Sequence, residues 1–364
     1  MNDRQENIHD GAIAMRVTSL DPLSSDVIAL TLMPAGARKL CYSEGQFLSL
    51  QLPGNVMRSY SMATTRRDDG RVVLHIKLRD EGFFSRMLRD GEVNTGDVIF
   101  ARGPYGDCIW HDDSPGTDIL MLATGTGIAP LNAILESVFR HDECSHNIYL
   151  FWGGSDVKEL YLHEHFEALT ARFSSFHYMP VLTGPFDRPR EQTLGVQTVA
   201  ATLHRDMRKV RAYACGAPGM VADAQRLFLE RGLPAERFHF DSFESAIVHD
   251  MSSTSTSTST VTVQARAPDG VRHVLALPEG ATLMSALSAA TMMRGVCGGQ
   301  QSCGTCRVQL EPEWFDRVPG SEKTERRLLS VLDTPQPHHR LACQITLTQA
   351  MEGLSFDLPP FAGA

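Results

Sequence analysis

The sequence lacks several features that would assign it to a specialised class of protein. Lys and Arg number 34 against 43 Asp and Glu, so there is no basic excess to neutralise a nucleic-acid backbone. The longest apolar run, Ile119–Leu135, is interrupted by polar residues, glycines and a proline, and so makes a poor membrane span. The opening residues, MNDRQENIHDG, lack the charged-then-apolar layout of a signal peptide. These absences predict a cytoplasmic protein with no membrane span and no nucleic-acid partner.

Cysteine is present, but its arrangement is unlike a disulfide framework. Of the eight cysteines, Cys41, Cys108, Cys144 and Cys215 are scattered, whereas the other four lie in the last third of the chain. In a reducing compartment, clustered cysteines indicate metal binding or catalysis rather than crosslinks. We expect Cys41, Cys108 and Cys144 to be inert.

A Ser/Thr tract divides the chain. The segment MSSTSTSTST at residues 251–260 has no apolar anchor, and with residues 246–250 it predicts a flexible linker of about 15 residues. Its stretched reach is roughly 50 Å, and its root-mean-square span as a coil is about 20 Å. The linker at 246–260 therefore separates a small domain, 261–364, from a larger part that we divide into domains 1–112 and 113–245.

The two parts before the linker differ in their apolar periodicity. Residues 12–110 contain short alternating apolar runs broken by Gly, Pro and Asp, which is typical of an antiparallel β-barrel. Residues 117–240 alternate strands with helices, which predicts a parallel sheet with ligands at the carboxyl ends of its strands. The expected elements include strands at Phe47–Leu52, Val72–Leu78, Asp97–Ala101, Ile119–Ala123, Asn147–Trp152 and Ala212–Cys215, and helices at Leu131–Phe139, Leu160–Leu169 and Met220–Glu230.

Two glycine-rich turns follow strands of the second domain. In TGTGIAP, at 124–130, small residues let the backbone approach a phosphate at the N-terminus of the next helix. A second turn, ACGAPGM at 214–220, also ends a strand. Either turn alone is compatible with an ordinary connection, and Cys215 alone with a buried core thiol. Together, at the strand ends of one parallel sheet, they predict a nucleotide site.

The barrel carries residues suited to a planar cofactor with phosphates. RSYS at 58–61 offers an arginine that can grip a phosphate, a tyrosine that can stack on a ring and a serine that can hydrogen-bond a ring nitrogen. HIK at 75–77 and GFFS at 82–85 follow, and the latter predicts a helix start able to hold a pyrophosphate. The same residues would also suit an ordinary barrel surface.

In this order, the segments RSYS, GFFS, GPYG, GTGIAP, FWGG and YACGAPGMV resemble the ferredoxin–NADP reductase superfamily. They are most similar to the reductase components of bacterial ring-hydroxylating oxygenases and related monooxygenases. The resemblance covers residues 12–245 and implies a flavin-binding antiparallel β-barrel followed by a nicotinamide-binding α/β domain. The short GFFS segment favours FAD over FMN, because the FMN-using phthalate-type branch has a longer glycine-rich phosphate loop.

The resemblance also implies roles for individual residues. Those that would hold the flavin are Arg58, Ser59, Tyr60, Ser61, His75, Ile76, Lys77, Gly82, Phe83, Phe84 and Ser85, with Phe243 covering it. Those that would hold the nicotinamide nucleotide are Thr124, Gly125, Thr126, Gly127, Trp152, Cys215 and Gly216. We assign Ser61 and Cys215 as the catalytic residues, beside the flavin and the reactive nicotinamide carbon.

The most specific motif lies after the linker. Cys297, Cys303 and Cys306 occur on one glycine-rich loop, and Cys343 follows much later, which matches the ligation of a [2Fe–2S] cluster. A four-cysteine zinc site is the alternative, but it usually pairs its ligands in short CxxC hooks. The spacing, together with LM at 283–284 and RLACQI at 340–345, resembles the adrenodoxin and putidaredoxin branch and implies a β-grasp fold.

These motifs predict an oxidoreductase that takes a hydride from a nicotinamide and passes electrons singly to its own cluster. A flavin must lie between the two, because the donor gives two electrons together and the cluster accepts one at a time. The resemblance implies a terminal oxygenase, Rieske-type or haem-thiolate, as the partner that accepts the electrons. Two alternatives stay open: a reductase for a non-oxygenase acceptor, such as a sugar-dehydrating enzyme, and a redox sensor.

The segment GGSDVKE at 153–159 predicts NADH rather than NADPH as the donor. An acidic side chain at this turn bonds the free ribose 2′-hydroxyl and repels a 2′-phosphate. Asp156 and Glu159 outnumber Lys158, although Arg188 or Arg190 could approach from another loop. We expect Asp156 to be the discriminating residue.

Overall fold

A computed structural model of the chain describes residues 12–53, 56–141, 144–184, 194–243, 259–290, 304–331 and 336–358, and also residues 292, 293, 295, 299 and 301. The chain divides into two compact units, Met1–Phe243 and Glu244–Ala364. Across the described residues, no helix is long and apolar enough to cross a membrane.

The first sheet has six antiparallel strands in the spatial order β4-β3-β6-β1-β2-β5. In β1 every second side chain from Ile13 to Val17 is buried, and these side chains belong to the core of this sheet. The edge strands β4 and β5 approach each other through a bridge between Met62 and Leu74, so the predicted barrel is confirmed. The elements are β1 Ile13–Pro22, β2 Val27–Pro34, β3 Phe47–Leu52, β4 Val56–Ser61, β5 Val72–Lys77, α1 Phe83–Arg89 and β6 Val98–Tyr105.

The second sheet has five parallel strands in the order β11-β10-β7-β8-β9. Its strands are buried on both sides, because α2 and α3 pack on one face and α4 and α5 on the other. The elements are β7 Asp118–Thr124, α2 Ile128–Val138, β8 Ile148–Gly154, α3 His163–Arg172, β9 Phe176–Leu182, α4 Val196–Leu203, β10 Val210–Gly216, α5 Pro218–Glu230 and β11 Phe238–Ser242. The predicted parallel sheet is therefore confirmed.

Two helices that pack on this sheet begin at residues other than those predicted. Helix α2 begins at Ile128, three residues early, because Pro130 fits the first turn of a helix. Helix α3 begins at His163, because Val157–Glu159 forms a separate 3-10 turn that the carboxylate of Asp156 caps.

The second unit contains a mixed five-stranded sheet in the order β13-β12-β16-β14-β15. Strands β12 and β16 are parallel and the other pairs are antiparallel, and helix α6 packs Leu283, Ala286 and Leu287 into the core. This arrangement confirms the predicted β-grasp fold. The elements are β12 Thr260–Arg266, β13 Arg272–Pro278, α6 Leu283–Ala289, β14 Arg307–Leu310, α7 Pro312–Phe315, α8 Lys323–Val331, β15 His339–Leu341 and β16 Leu354–Asp357.

A buried ion pair fixes α8 to β15. Two guanidinium nitrogens of Arg340 donate to the two carboxylate oxygens of Glu325, at 2.8 and 3.1 Å, and the Leu341 N–H donates to the same carboxylate at 2.7 Å. The two side chains are almost fully buried. Breaking such a pair would leave an unpaired buried charge, which is energetically costly. The ion pair therefore holds in place β15, the strand that leads to Cys343.

Candidate active site

The carboxyl ends of β7 and β10 meet where the order of the parallel sheet reverses. The chain enters the sheet at β7, adds β8 and β9 on one side, and then crosses to β10 and β11 on the other. Ligands of open α/β sheets bind at such a switch point. Both glycine-rich turns lie here: the first forms a 3-10 turn over Gly125–Gly127, and the second joins β10 to α5.

The two turns approach each other so closely that each requires a glycine. A Cβ on Gly127 would lie 2.1 Å from the Cys215 carbonyl oxygen, and one on Gly216 would lie 2.3 Å from the Thr124 hydroxyl. That hydroxyl accepts a hydrogen bond from the Ala217 N–H at 2.9 Å and does not cap the turn that follows. No side chain caps the start of this turn or of α2, so their N–H groups suit a phosphate, and the predicted phosphate contact stays a prediction.

Trp152 supports the first turn from behind. Its ring is fully buried, in edge-to-face contact with Tyr161 and Phe166. The indole N–H donates to the Gly125 carbonyl at 3.1 Å. The side chain thus holds the turn in position, and a direct contact between Trp152 and a nucleotide stays a prediction.

The turn after β8 presents two carboxylates whose positions are fixed by the backbone. Asp156 accepts from the Lys158 N–H at 3.1 Å, and Glu159 accepts from the Ser155 N–H at 2.9 Å. Arg188 and Arg190, the alternative cations, lie outside the described residues. The role of Asp156 in the choice between NADH and NADPH stays a prediction.

The predicted flavin residues of β4 lie on an edge strand of the barrel. The Tyr60 ring centre is 5.9 Å from that of Phe84 on α1, and burial raises the pKa of the Tyr60 hydroxyl, which therefore stays protonated. Arg58 is partly exposed and donates to the Met57 carbonyl at 2.8 Å, and Ser59 is exposed. An exposed cation beside an aromatic ring suits a phosphate-bearing planar cofactor.

Asp241 joins the two predicted catalytic residues. The Ser61 hydroxyl, on the barrel, donates to the Asp241 carboxylate at 2.8 Å. Asp241 lies on β11 directly beside Cys215 of β10 in the strand register. Asp241 thus contacts Ser61 through its side chain and is the strand neighbour of Cys215 through its backbone. Sequence reasoning missed Asp241, and its position two residues before Phe243 was the only local signal.

The start of α1 is shaped by Gly82. A Cβ there would lie 2.7 Å from the Ser85 hydroxyl, which accepts a hydrogen bond from the Arg79 N–H at 2.9 Å. No side chain caps the first turn of the helix. Phe84 and Ser85 are buried and Phe83 is partly buried. The open helix start is compatible with the predicted pyrophosphate contact.

Three predicted flavin residues on β5 contact other residues of the protein. The His75 ring is buried and lies 3.1 Å from the Tyr161 hydroxyl, so it links the barrel to the nicotinamide domain. Burial lowers the pKa of His75 to about 4, which keeps the ring neutral at pH 7. Ile76 belongs to the barrel core, and Lys77 pairs with Asp26 at 3.2 Å. Their contacts with a flavin stay predictions.

Phe243 lies at the nicotinamide end of the site. Its N–H donates to the Gly216 carbonyl at 2.7 Å, and its side chain is partly buried. The end of the first unit is thereby bound to the second glycine-rich turn. A cover for the flavin is the predicted role.

Two of the four predicted cluster ligands, Cys297 and Cys303, lie outside the described residues, whereas Cys306 and Cys343 are both buried. Within the described part of the chain, no group of three metal-ligating side chains is found. The Ala342 N–H donates to the Cys306 carbonyl at 2.9 Å, so the two ligand segments are adjacent.

Gln344 connects the loop of the first three cysteines to Cys343. Its amide N–H donates to the Cys343 sulfur at 3.4 Å and to the Gly299 carbonyl at 3.3 Å, and its oxygen accepts from Gln301 at 2.8 Å. An N–H directed at a cysteine sulfur stabilises a thiolate, which an iron–sulfur cluster requires. The described residues therefore fit the cluster.

Three family models match the chain in order. They are the oxidoreductase FAD-binding domain at residues 14–110, the oxidoreductase NAD-binding domain at residues 121–226, and the 2Fe-2S iron-sulfur cluster binding domain at residues 267–348. The chain therefore contains an FAD-binding, an NAD-binding and a [2Fe–2S] domain in that order. The resemblance seen in the sequence is thereby confirmed, as are the domain types assigned to the three sheets.

Several curated proteins are similar to this chain. The reductase component of propane 2-monooxygenase from Rhodococcus jostii (strain RHA1) is 28% identical over 64% of this chain and 64% of its own length. The reductase component of phenol 2-monooxygenase from Pseudomonas sp. (strain CF600) is 34% identical over 56% of this chain and 59% of its own length. The chain thus spans less than two thirds of these relatives. A CDP-6-deoxy-L-threo-D-glycero-4-hexulose-3-dehydrase reductase from Yersinia pestis is 25% identical over 63% of this chain and 68% of its own length.

One similar solved structure has the same domains along its whole length. Phthalate dioxygenase reductase matches with a TM-score of 0.57 and 16% identity, covering 96% of this chain and 98% of that one. At this identity the likeness shows the fold alone.

Proposed function

We propose that this protein is the reductase component of an oxygenase system. It takes a hydride from NADH, passes the electrons through FAD to its own [2Fe–2S] cluster, and delivers them to a separate terminal oxygenase. The observation that carries this proposal is the hydrogen bond from Ser61 to Asp241, which lies beside Cys215. It connects a predicted flavin residue of the barrel to β11, the strand next to the predicted nicotinamide residue Cys215 on β10.

Bound FAD supplies the conversion of a two-electron donor into single electrons. The residues of this chain orient the reactants. The turn over Gly125–Gly127 holds the nucleotide phosphates, Tyr60 and Ser61 contact the flavin ring, and Cys215 lies against the nicotinamide. Asp241 holds the Ser61 hydroxyl in one orientation. We further propose functional domains 1–112, 113–245 and 261–364, with 246–260 as the linker.

The oxygenase partner is supported by the propane and phenol monooxygenase relatives. A second candidate, a reductase for a sugar-dehydrating enzyme, is supported by the Yersinia relative. A redox sensor has less support, because the three domains of this chain include no output module.

The electron route predicts a separation of two activities. A fragment of residues 1–250 should reduce ferricyanide with NADH at a rate within about twofold of the full chain, because its flavin and nicotinamide residues lie in one compact unit. It should fail to reduce a one-electron protein acceptor such as cytochrome c, which needs the cluster. Steady-state rates with both acceptors test this. Full cytochrome c reduction by the fragment would exclude the proposed route.

The donor is expected to be NADH. We predict that kcat/KM for NADH exceeds that for NADPH at least about tenfold, because the carboxylates of Asp156 and Glu159 repel a 2′-phosphate. The substitution Asp156→Arg should reduce the ratio of kcat/KM for NADH to kcat/KM for NADPH, because it replaces a negative charge with a positive one. Asp156→Asn is the matched control for structure, since asparagine also caps the turn but carries no charge. An equal or higher kcat/KM for NADPH in the wild-type protein would refute the assignment.

A further inference from the structure

The connection between the two domains of the first unit lies along β10. Its side chains contact β10 in antiparallel order: Cys108 contacts Cys215, Trp110 stacks on Tyr213 at 6.0 Å between ring centres, and Asp113 pairs with Arg211. The main chain joins in, because the His111 N–H donates to the Tyr213 hydroxyl at 3.0 Å. We call residues 106–113 the interdomain strap.

Residues of the barrel domain contact the start of the strap and hold it in place. The Gln46 side chain donates to the Gly106 carbonyl at 3.0 Å. Gly45, with a φ of +96°, packs against Cys108, since a Cβ there would lie 2.0 Å from the Cys108 carbonyl oxygen. The Cys108 backbone is therefore fixed by the barrel, whereas its side chain contacts the nicotinamide domain.

Cys108 and Cys215 form a buried thiol pair. Their sulfur atoms are 3.6 Å apart, and the two residues are 1% and 0% exposed. The hydrogen bond with Cys215, together with burial, holds the pKa of the Cys108 thiol well above its usual value. At this distance either thiol can donate to the other sulfur. That Cys108 is chemically inert stays a prediction, and the contact concerns only its position beside Cys215.

We propose that Cys108 is a positioning residue that orients the Cys215 thiol for hydride transfer. The S–H of Cys108 donates to the Cys215 sulfur and so selects one side-chain orientation of Cys215. This role rests on the proposed function, in which the nicotinamide binds beside Cys215, a residue that is itself fully buried. The Cys108 backbone belongs to the strap, which the barrel holds in place. Through Cys108, the barrel that carries the flavin therefore fixes the orientation of the Cys215 thiol.

Three substitutions separate the hydrogen bond from the packing. Cys108→Ala removes donor and volume, Cys108→Val keeps the volume without the donor, and Cys108→Ser keeps a donor. The assay uses the full chain with NADH and ferricyanide. The variants Cys108→Ala and Cys108→Val should each lower kcat about fivefold and leave KM unchanged, because the loss of one ordinary hydrogen bond slows a reaction by about this factor. The serine variant should stay within about twofold of wild type. Cys144→Ala, at a partly buried thiol of a different loop, is the matched control and should leave kcat unchanged.

A structural effect alone would give a different pattern. The proposal would fail if the kcat of Cys108→Val equalled that of the wild type, or if the variants raised KM while kcat stayed constant. Either result would show that Cys108 acts through its packing and does not orient the Cys215 thiol. A serine variant as slow as alanine would overturn it equally.

An infrared measurement makes the test independent of the proposed function. A thiol that donates a hydrogen bond has an S–H stretching band at lower frequency than an exposed thiol, and we expect one such band to vanish in both Cys108→Ala and Cys215→Ala. Its persistence in either variant would exclude the thiol pair. If the band behaves as expected and no nicotinamide reduces the flavin, the proposed function fails and the contact stands.

Discussion

Replacing Cys343 by serine is expected to remove the cluster and to abolish reduction of one-electron protein acceptors, while the flavin remains bound. The purified wild-type chain should hold about two iron and two sulfide ions, and the variant should hold less than about half of each. Loss of residues that merely support a metal ligand commonly costs about 10–100-fold in affinity, so loss of a ligand should cost at least about a hundredfold in acceptor reduction.

The reason for this large effect lies in the surroundings of the Cys343 sulfur. It accepts an amide hydrogen from Gln344 at 3.4 Å, and its residue is only 7% exposed. A buried serine hydroxyl would have to ionise to replace the thiolate, and burial opposes that ionisation. The other ligands cannot compensate, because no further cysteine of the second unit is left after the four predicted ones.

Cys144→Ser is the matched control for Cys343→Ser, since Cys144 belongs to the first unit and donates to a backbone carbonyl. It should retain iron, sulfide and both activities. Metal and sulfide analysis, flavin absorbance, and rates with ferricyanide and cytochrome c measure the outcome. Zinc in place of iron in the wild-type chain, or an unchanged cluster in Cys343→Ser, would contradict the assignment.

Sequence patterns predicted those parts of the molecule that depend on local neighbours. The alternating apolar residues of Phe47–Leu52 gave strand β3 with its observed bounds, and the continuous apolar run at Ile119–Ala123 gave the core of β7. Strand ends followed by glycine-rich turns then located the switch point of the parallel sheet. Cysteine spacing is equally local, and it led to the [2Fe–2S] domain that a family model matches.

Contacts between residues far apart in the chain could not be predicted in this way. Ser61 and Asp241 are 180 residues apart, and Cys108 and Cys215 are 107 apart. Apolar periodicity assigns each residue to a face of its own strand, but the partner across a domain boundary depends on how two complete folds pack. Asp241 and Cys108 were therefore missed, although both lie beside a residue that the motifs selected.

Residues that belong to a motif but are buried were the other source of difference between the predicted site and the structure. Trp152 and Ile76 belong to motifs that resemble cofactor-binding segments, and the structure buries both side chains in domain cores. A motif is retained for every residue that shapes it, including those that support the binding residues from behind. Sequence letters alone do not separate the two roles, because burial depends on the fold.

Gly127→Ala is expected to lower kcat/KM for NADH on the order of a hundredfold, because the added methyl group has no space. Its carbon would lie 2.1 Å from the Cys215 carbonyl oxygen, 2.5 Å from the carbonyl carbon and 2.8 Å from the Gly216 Cα. These are backbone atoms, which cannot rotate away as a side chain would. The φ of Gly127 is −60°, which any residue adopts, so space is the only obstacle. The two turns must therefore separate, which moves the phosphate site and Cys215 together.

Gly219→Ala tests whether the effect is specific to that contact. Gly219 lies in the first turn of α5 at the same end of the sheet, and an added Cβ would meet nothing within 4 Å. Alanine is the better helix former by about 1 kcal/mol, so Tm should stay constant or rise, and kcat/KM should change less than about twofold. FAD content should be normal in both variants, since the barrel core contains no residue from either turn. A Gly127→Ala protein that used NADH as well as Gly219→Ala would show that the closeness of the two turns does not matter for the nicotinamide site.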